Sequence, residues 1–436
     1  TKHKEMKQLA TILALVAMAI PATAQKAFSL GDLFTLADQN ARTIRISQDA
    51  FAAAKEEVAT AKAQRLPEIG TQLSIGYNGR GLITDRDFSN PMNIYIPEFA
   101  NNFSLQVSQV IYAGGAITNS IRLSQMGQRM AELDIERNRQ EVRFYIVGQY
   151  LDMMKTLGTI KVVEQNIALA EQLVAEMQAR VGQGTALAND VTRYELQLEN
   201  LRLQHRRLTD AYSIQNQSLC QTLCLPEGTM IQPDETLLEA DLDTQDEQYW
   251  QQNATANSSL RQAALANEMA GRKVQLAKSA LLPKLALVAE EHLNGPVTIE
   301  IPALNKNFNY WFVGLGVQYN LSSLYKSRHD IRRAQLHQTQ AAEQQALAQE
   351  QMTTAVHAAH TDLQTAQAEL RTTQKQLQLA AENYAVVSTR YQNNLALVTD
   401  LIDATAVKLQ AEIARQQAQI NIIYCQKKLE YLCGTL

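Results

Sequence analysis

Hydrophobic positions along this chain repeat with two different periods. Val356, Leu363, Leu370, Leu377, Tyr384 and Tyr391 lie seven residues apart, and Ala359, Ala366, Thr373, Ala380 and Val387 follow each by three. Large side chains at one seam position and mostly small ones at the other predict a coiled-coil helix. Ile146, Met153, Ile160, Ile167, Val174 and Val181 repeat that register 210 residues earlier (356 − 146). Elsewhere the period is two. Ile69, Thr71, Leu73, Ile75 and Tyr77 alternate, as do Phe103, Leu105, Val107, Gln109 and Ile111. Leu285, Leu287 and Ala289, then Trp311, Val313, Leu315, Val317 and Tyr319, do the same. These runs predict strands at about 68–78, 102–112, 284–292 and 309–321.

Pro and Gly punctuate the chain in agreement with this. No Pro occurs between Glu98 and Leu225 or between Ala303 and Leu436, and Val317–Cys433 holds neither Pro nor Gly. Such tracts suit long helices, not alternating α/β units. Helix from about Gly115 to Val181 would be ~100 Å long at 1.5 Å per residue. Pro67, and the Gly and Pro residues of Asn78–Asn101 and of the stretch around Gly295, Pro296 and Pro302, mark the strand-to-strand loops.

The chain also repeats itself. Ala61–Pro67 resembles Ala277–Pro283 at an offset of 216 (277 − 61). Phe103–Val107 resembles Val313–Val317, and Arg180–Asp190 resembles Arg390–Asp400, both at 210 (390 − 180). Three matches in one order predict a duplication. The first repeat takes residues 25–240, with an inter-helix turn near 182–187. The second takes 241–436, with its turn near 392–397. Each copy reads helix, strand, strand, long helix, long helix.

The first 24 residues read as an address. Lys2, Lys4 and Lys7 precede the apolar run Leu9–Ile20, and Pro21-Ala22-Thr23-Ala24 supplies an A-x-A cleavage pattern. That is a signal peptide spanning 1–24, too short for a membrane-spanning helix. No later stretch is apolar enough to span as a helix, so any membrane insertion must use β-strands. Each predicted strand approaches the 9–11 residues that cross an outer membrane when tilted. Four strands cannot close a barrel, for which about eight is the smallest workable number. Either the strands form a soluble sheet or several chains share one barrel.

Composition narrows the chemistry. Lys plus Arg is 40 and Asp plus Glu is 44, a net charge of −4, which gives no basic surface for nucleic acid. There is no G-x-S-x-G, no P-loop and no GxGxxG after a strand, and Gly314-Leu315-Gly316 falls inside one. His357 and His360 share a helix face without a ligand set around them, so a polar face is expected and no metal. Cys220 and Cys224 are i, i+4, a spacing that meets disulfide geometry poorly. With Cys425 and Cys433 they read as small residues near helix ends. Neither an enzyme nor a cofactor is expected.

Tyr391 through Asp400-Leu401-Ile402-Asp403-Ala404-Thr405 resembles the inter-helix turn and D-(V/L)-(L/I)-D-A segment of the TolC-like outer-membrane factors. Arg180-Val181-Gly182-Gln183-Gly184 with Asp190 resembles the same turn in the first repeat, and the likeness spans nearly the whole mature chain. The resemblance implies a mainly α fold with a small β part. It implies a homotrimer in which four strands per chain form a 12-stranded outer-membrane β-barrel, continued by a long periplasmic α-helical barrel. The implied function is the exit duct of a tripartite efflux pump or type I secretion system in a Gram-negative outer membrane. Its partners would be outer-membrane lipid, a periplasmic adaptor (membrane fusion) protein and an inner-membrane pump. By the same resemblance, Asp400 and Asp403 gate the pore entrance. Asp190, Tyr391, Gly182 and Gly184 would make the tip contacts and turns, although Ala396 stands where some members have Arg. A periplasmic coiled-coil adaptor or structural scaffold is the alternative that heptads alone leave open.

Overall fold

The computed structural model describes residues 27–226, 228–239, 245–393 and 395–436. The expected signal peptide, 1–24, lies outside them. The strands are β1 (Ala27–Phe28), β2 (Glu68–Tyr77), β3 (Gly81–Ile83), β4 (Met92–Ile94), β5 (Phe99–Ala113), β6 (Gln232–Pro233), β7 (Lys284–Gly295) and β8 (Phe308–Gln318). The helices are α1 (Leu30–Asn40), α2 (Arg42–Ala63), α3 (Ala116–Gly182), α4 (Ala188–Thr222), α5 (Glu247–Ala254), α6 (Ser258–Ser279), α7 (Ser323–Gln392) and α8 (Val398–Cys433). The duplication is explicit in this order. α2-β2-β5-α3-α4 and α6-β7-β8-α7-α8 are the two helix-strand-strand-helix-helix copies. Helices dominate and the strands form a small part, the mainly α class that the periodicities predict.

Two compact units emerge from the contacts. One comprises the chain up to Ile46, Arg137–Asn257 and Met352–Leu436. Its core gathers Leu33, Ile44, Ile146, Tyr150, Leu151, Met153, Leu219, Ile231 and Ile420. A second cluster seats Val356, Ala359, Leu363 and Ala366 of α7 against Ile422, Cys425, Leu429 and Cys433 of α8, with Trp250 and Ala254 of α5. The Val356–Ala366 part of the heptad seam is therefore buried, and Val356 and its repeat partner Ile146 are both fully inaccessible. β1 pairs in parallel with β6. Tyr150 locks that pairing: its hydroxyl donates to the Phe28 carbonyl at 2.7 Å and accepts from the Asp234 N–H at 2.7 Å. Burial pushes this phenol up to about 12.

The other unit comprises Ser47–Glu136 and Ser258–Gln351. It carries one antiparallel sheet in the order β2-β5-β7-β8, so the hairpins of the two copies join at β5–β7. Gly114 turns the chain from β5 into α3 at φ +61, where a Cβ would meet Leu282 Cβ at 2.7 Å and the Ser279 carbonyl at 2.9 Å. Only glycine meets both demands. Among the described residues no helix is long and apolar enough to cross a membrane.

Register sorts the sheet into two faces, because directly paired residues share a face. Ile69 pairs with Val107, Val107 with Ala289, and Ala289 with Val313. That face also carries Leu73, Ile75, Tyr77, Phe103, Leu105, Leu287, Leu293, Trp311, Leu315 and Val317, interrupted mainly by Thr71, Gln109 and Glu291. It is exposed: Trp311 retains 74% of its accessible surface and Val317 71%. The opposite face carries Gln72, Ser74, Asn102, Ser104, Gln106, Ser108, Glu290, His292 and Asn294, with Val110, Val288, Phe308, Tyr310 and Phe312 among them. An apolar face left uncovered, backed by a polar one, suits a wall between lipid and water. The sequence alternation extends to Ile111, but a bulge between Val110 and Tyr112 leaves Ile111 unpaired. Tyr112, opposite Leu285, takes over the apolar face from there.

Candidate functional site: the two helix turns

Each long helix reverses direction at a turn built on the same plan. In the first, the Thr185 N–H reaches the Arg180 carbonyl at 2.9 Å and the Gly184 N–H reaches the Val181 carbonyl at 3.0 Å. These 6→1 and 5→2 bonds, with Gly184 at φ +72, make a Schellman ending. Gly184 is required there by its backbone. Gly182 is not: it is helical, and a Cβ at 182 would meet nothing within 4 Å. In the second turn the Leu395 N–H reaches the Arg390 carbonyl at 2.8 Å, the equivalent bond. Asn394 lies outside the described residues.

The helices that follow start alike. The Asp190 carboxylate accepts from the Leu187 N–H at 3.3 Å, and the Asp400 carboxylate accepts from the Leu397 N–H at 2.9 Å. Both aspartates sit at N3, where a carboxylate satisfies an unpaired helix-start donor and meets the positive end of the dipole. Asp403, one turn on, is exposed and makes no hydrogen bond or ion pair among the described residues. The spacing places Asp400 and Asp403 on one side of α8, yet only Asp400 has a bond to its own backbone.

Between the turns lies an apolar cluster of Met177, Tyr194, Tyr391, Val398 and Leu401, with Ala396 at its edge. The Tyr391 hydroxyl points at Met177 Sδ, 3.3 Å away, and burial raises its pKa. Arg180 covers the Tyr391 ring with its guanidinium carbon 5.1 Å from the centroid, while its Nη2 reaches Glu176 Oε1 at 2.7 Å. A basic group thus reaches this tyrosine from the first repeat, although position 396 is alanine. Tyr194 is buried, and its hydroxyl has no hydrogen-bond partner among the described residues. Met177 and Tyr194 of this cluster were given no role by sequence reasoning, and Arg180, quoted there within the turn motif, gains its contact with Tyr391 only here. Asp190, Gly182 and Gly184 belong to the first turn, and Tyr391, Asp400 and Asp403 to the second.

The other candidate chemistries find structural partners. His357 Nδ1 lies 3.0 Å from Glu247 Oε1, and this contact is the main cause holding the Glu247 carboxyl below its usual range. All four cysteines are free, with Cys220, Cys425 and Cys433 buried and Cys224 exposed just past α4. Among the described residues no group of three or more His, Cys, Asp or Glu could hold a metal ion.

Comparison with known proteins identifies the fold and the family. The family model described as outer membrane efflux protein matches residues 33–224 and 250–435. No curated protein sequence matches the chain. Among solved structures, the outer membrane protein VceC from Vibrio cholerae is similar at a TM-score of 0.77 and 15% identity, covering 93% of this chain and 96% of that one. The Campylobacter jejuni CmeC outer membrane channel gives 0.75 at 14% identity, covering 93% and 85%. The open state of the Neisseria gonorrhoeae MtrE outer membrane channel gives 0.74 at 14% identity, covering 93% and 88%. An adaptor or scaffold role is set aside by this match. The chain belongs to the outer membrane efflux protein family and is an outer-membrane channel protein, not an enzyme.

Proposed function

We propose that three copies of this chain form the exit duct of a tripartite efflux pump or type I secretion system, gated at its periplasmic tip by acidic residues. The observation that carries the reading is the sheet. β2 and β8 are both edge strands, and they run in opposite directions. β8 of one copy can therefore pair antiparallel with β2 of the next, and three copies close 12 strands with no edge left in lipid. The apolar face then meets lipid and the polar face lines a water-filled lumen.

The turns supply the gate. Three copies of Asp403 at the narrow end would form a carboxylate ring without counter-charges of its own, favouring cations and closing tightly only when a bridging cation offsets the repulsion between the carboxylates. Asp400 contributes charge there too, but its bond to the Leu397 N–H favours a capping role for it. The Tyr391–Met177–Arg180 cluster holds the two turns of one chain together. Opening must then move both turns as a unit, and a periplasmic adaptor engaging them would couple the duct to an inner-membrane pump.

The test is the protein mass of the species extracted from outer membranes with detergent, read by light scattering. Three times the mature chain supports the shared barrel. A monomer released without detergent would overturn it.

A further inference from the structure

The lumen-side face of the sheet holds a group of residues that neither a channel wall nor the tip gate explains. Phe308, Tyr310 and Phe312 alternate along β8 on the polar face, opposite Asn294, His292 and Glu290 of β7. They remain 53%, 41% and 54% exposed. Outer-membrane strands carry aromatic girdles, but those belong on the lipid face, which already has Tyr77, Phe99, Phe103 and Trp311. Aromatic rings among Gln, Ser, Asn and Glu side chains need another reason.

The group is ordered by its own contacts. His292 stacks on Tyr310 at 4.9 Å between centroids and 18° between planes. Phe308 follows at 5.4 Å from Tyr310. The Phe312 ring lies along the strand over Gly314, where a Cβ would come within 2.5 Å of its Cζ. Glu290 is held from two sides, by Gln106 Nε2 at 3.2 Å and His292 Nε2 at 3.3 Å. The result is a row of half-exposed rings beside one oriented carboxylate, at the end of the strands where the β7–β8 loop begins.

The geometry points to a subsite for aromatic organic cations on this wall. A ring of the ligand stacks on Phe308 or Tyr310, its ammonium group meets the π faces and the Glu290 carboxylate, and His292 braces both. Purely polar cargo has no use for the rings, and aromatic anions are repelled by Glu290. This inference rests on the pore reading, because only a trimeric barrel makes this face a lumen.

The test uses full-length protein in planar bilayers, with benzyltrimethylammonium, tetramethylammonium and benzoate as probes added on the loop side. Benzyltrimethylammonium is expected to interrupt the current with dwell times at least about threefold longer than tetramethylammonium, and benzoate to give no interruption. Tyr310→Ala with Phe308→Ala should shorten the dwell about threefold to tenfold, Glu290→Gln should shorten it too, and Tyr310→Phe should preserve it. Dwell times unchanged in these variants, or equal for benzoate, would overturn the subsite. The Asp403→Ala background should leave the dwell unaltered; its loss there would move the binding to the tip. Wild-type protein that never conducts would remove the pore reading instead. NMR line broadening of benzyltrimethylammonium by the detergent-solubilised protein, compared with Glu290→Gln, would then decide the subsite alone: no broadening would end it.

Discussion

Asp400 and Asp403 carry the same charge three residues apart, and their contacts separate them. Asp403→Ala removes no hydrogen bond or ion pair among the described residues, so it should raise bilayer conductance and weaken block by divalent cations while leaving thermal stability unchanged. Asp400→Ala removes the acceptor of the Leu397 N–H and should loosen the start of α8 by about 0.3–1 kcal/mol, seen as faster amide exchange there. A loss of divalent block confined to Asp400→Ala would refute this division of roles. Tyr150 offers a second contrast. Tyr150→Phe leaves the Asp234 N–H and the Phe28 carbonyl without their partner and should destabilise by about 1–3 kcal/mol. Its pKa lies near 12 when folded and near 10 when unfolded. The contribution of the neutral phenol is therefore complete below about pH 10 and is lost as pH rises to about 12. Unfolding free energy plotted against pH in that window should fall less steeply for Tyr150→Phe than for wild type. The aspartates were singled out in the sequence by the family resemblance alone, and their helix-start bonds came from the structure. The Tyr391–Met177 contact was not legible there, since its partners stand 214 positions apart and only packing brings them together.

At the scale of elements, strand alternation was readable and its meaning was half readable. The apolar set of each strand was visible as Ile69 to Tyr77 or Trp311 to Val317. The intervening residues, Phe308, Tyr310 and Phe312 among them, are just as regular but drew no notice, because reading for hydrophobic alternation discards the other phase. The bulge at Ile111 was illegible for the opposite reason: Ile111 continues the apolar alternation although it pairs with nothing. The two phases predict different tolerance. Val313→Lys, on the apolar face in mid-strand, should destabilise the folded protein in lipid by about 2–4 kcal/mol, and Ser104→Lys, on the polar face, by much less. Urea unfolding in phospholipid vesicles measures both. Equal losses would mean that neither face is set apart by lipid, and a larger loss for Ser104→Lys would mean that the faces are exchanged.

For the whole molecule, the duplication and its heptad seams were the most legible features. Repetition at 210 residues is a property of the string, and a seven-residue period survives every detail of packing. The number of copies per barrel was not legible, because nothing within one chain specifies how a sheet with two open edges is finished. Those edges also constrain the order of events in biogenesis. β2 and β8 each present a row of N–H and C=O groups that lipid cannot satisfy, at several kcal/mol per group. A lone chain is therefore not a stable resident of the bilayer, and partial assemblies of one or two chains keep the same two raw edges. Association and insertion collapse into a single event whose initial rate should rise steeply with protomer concentration, approaching third order at high dilution. Vesicle insertion followed by Trp311 fluorescence, with chain concentration varied against fixed lipid, reads that order directly. First-order insertion would require that a single chain seal its own edges.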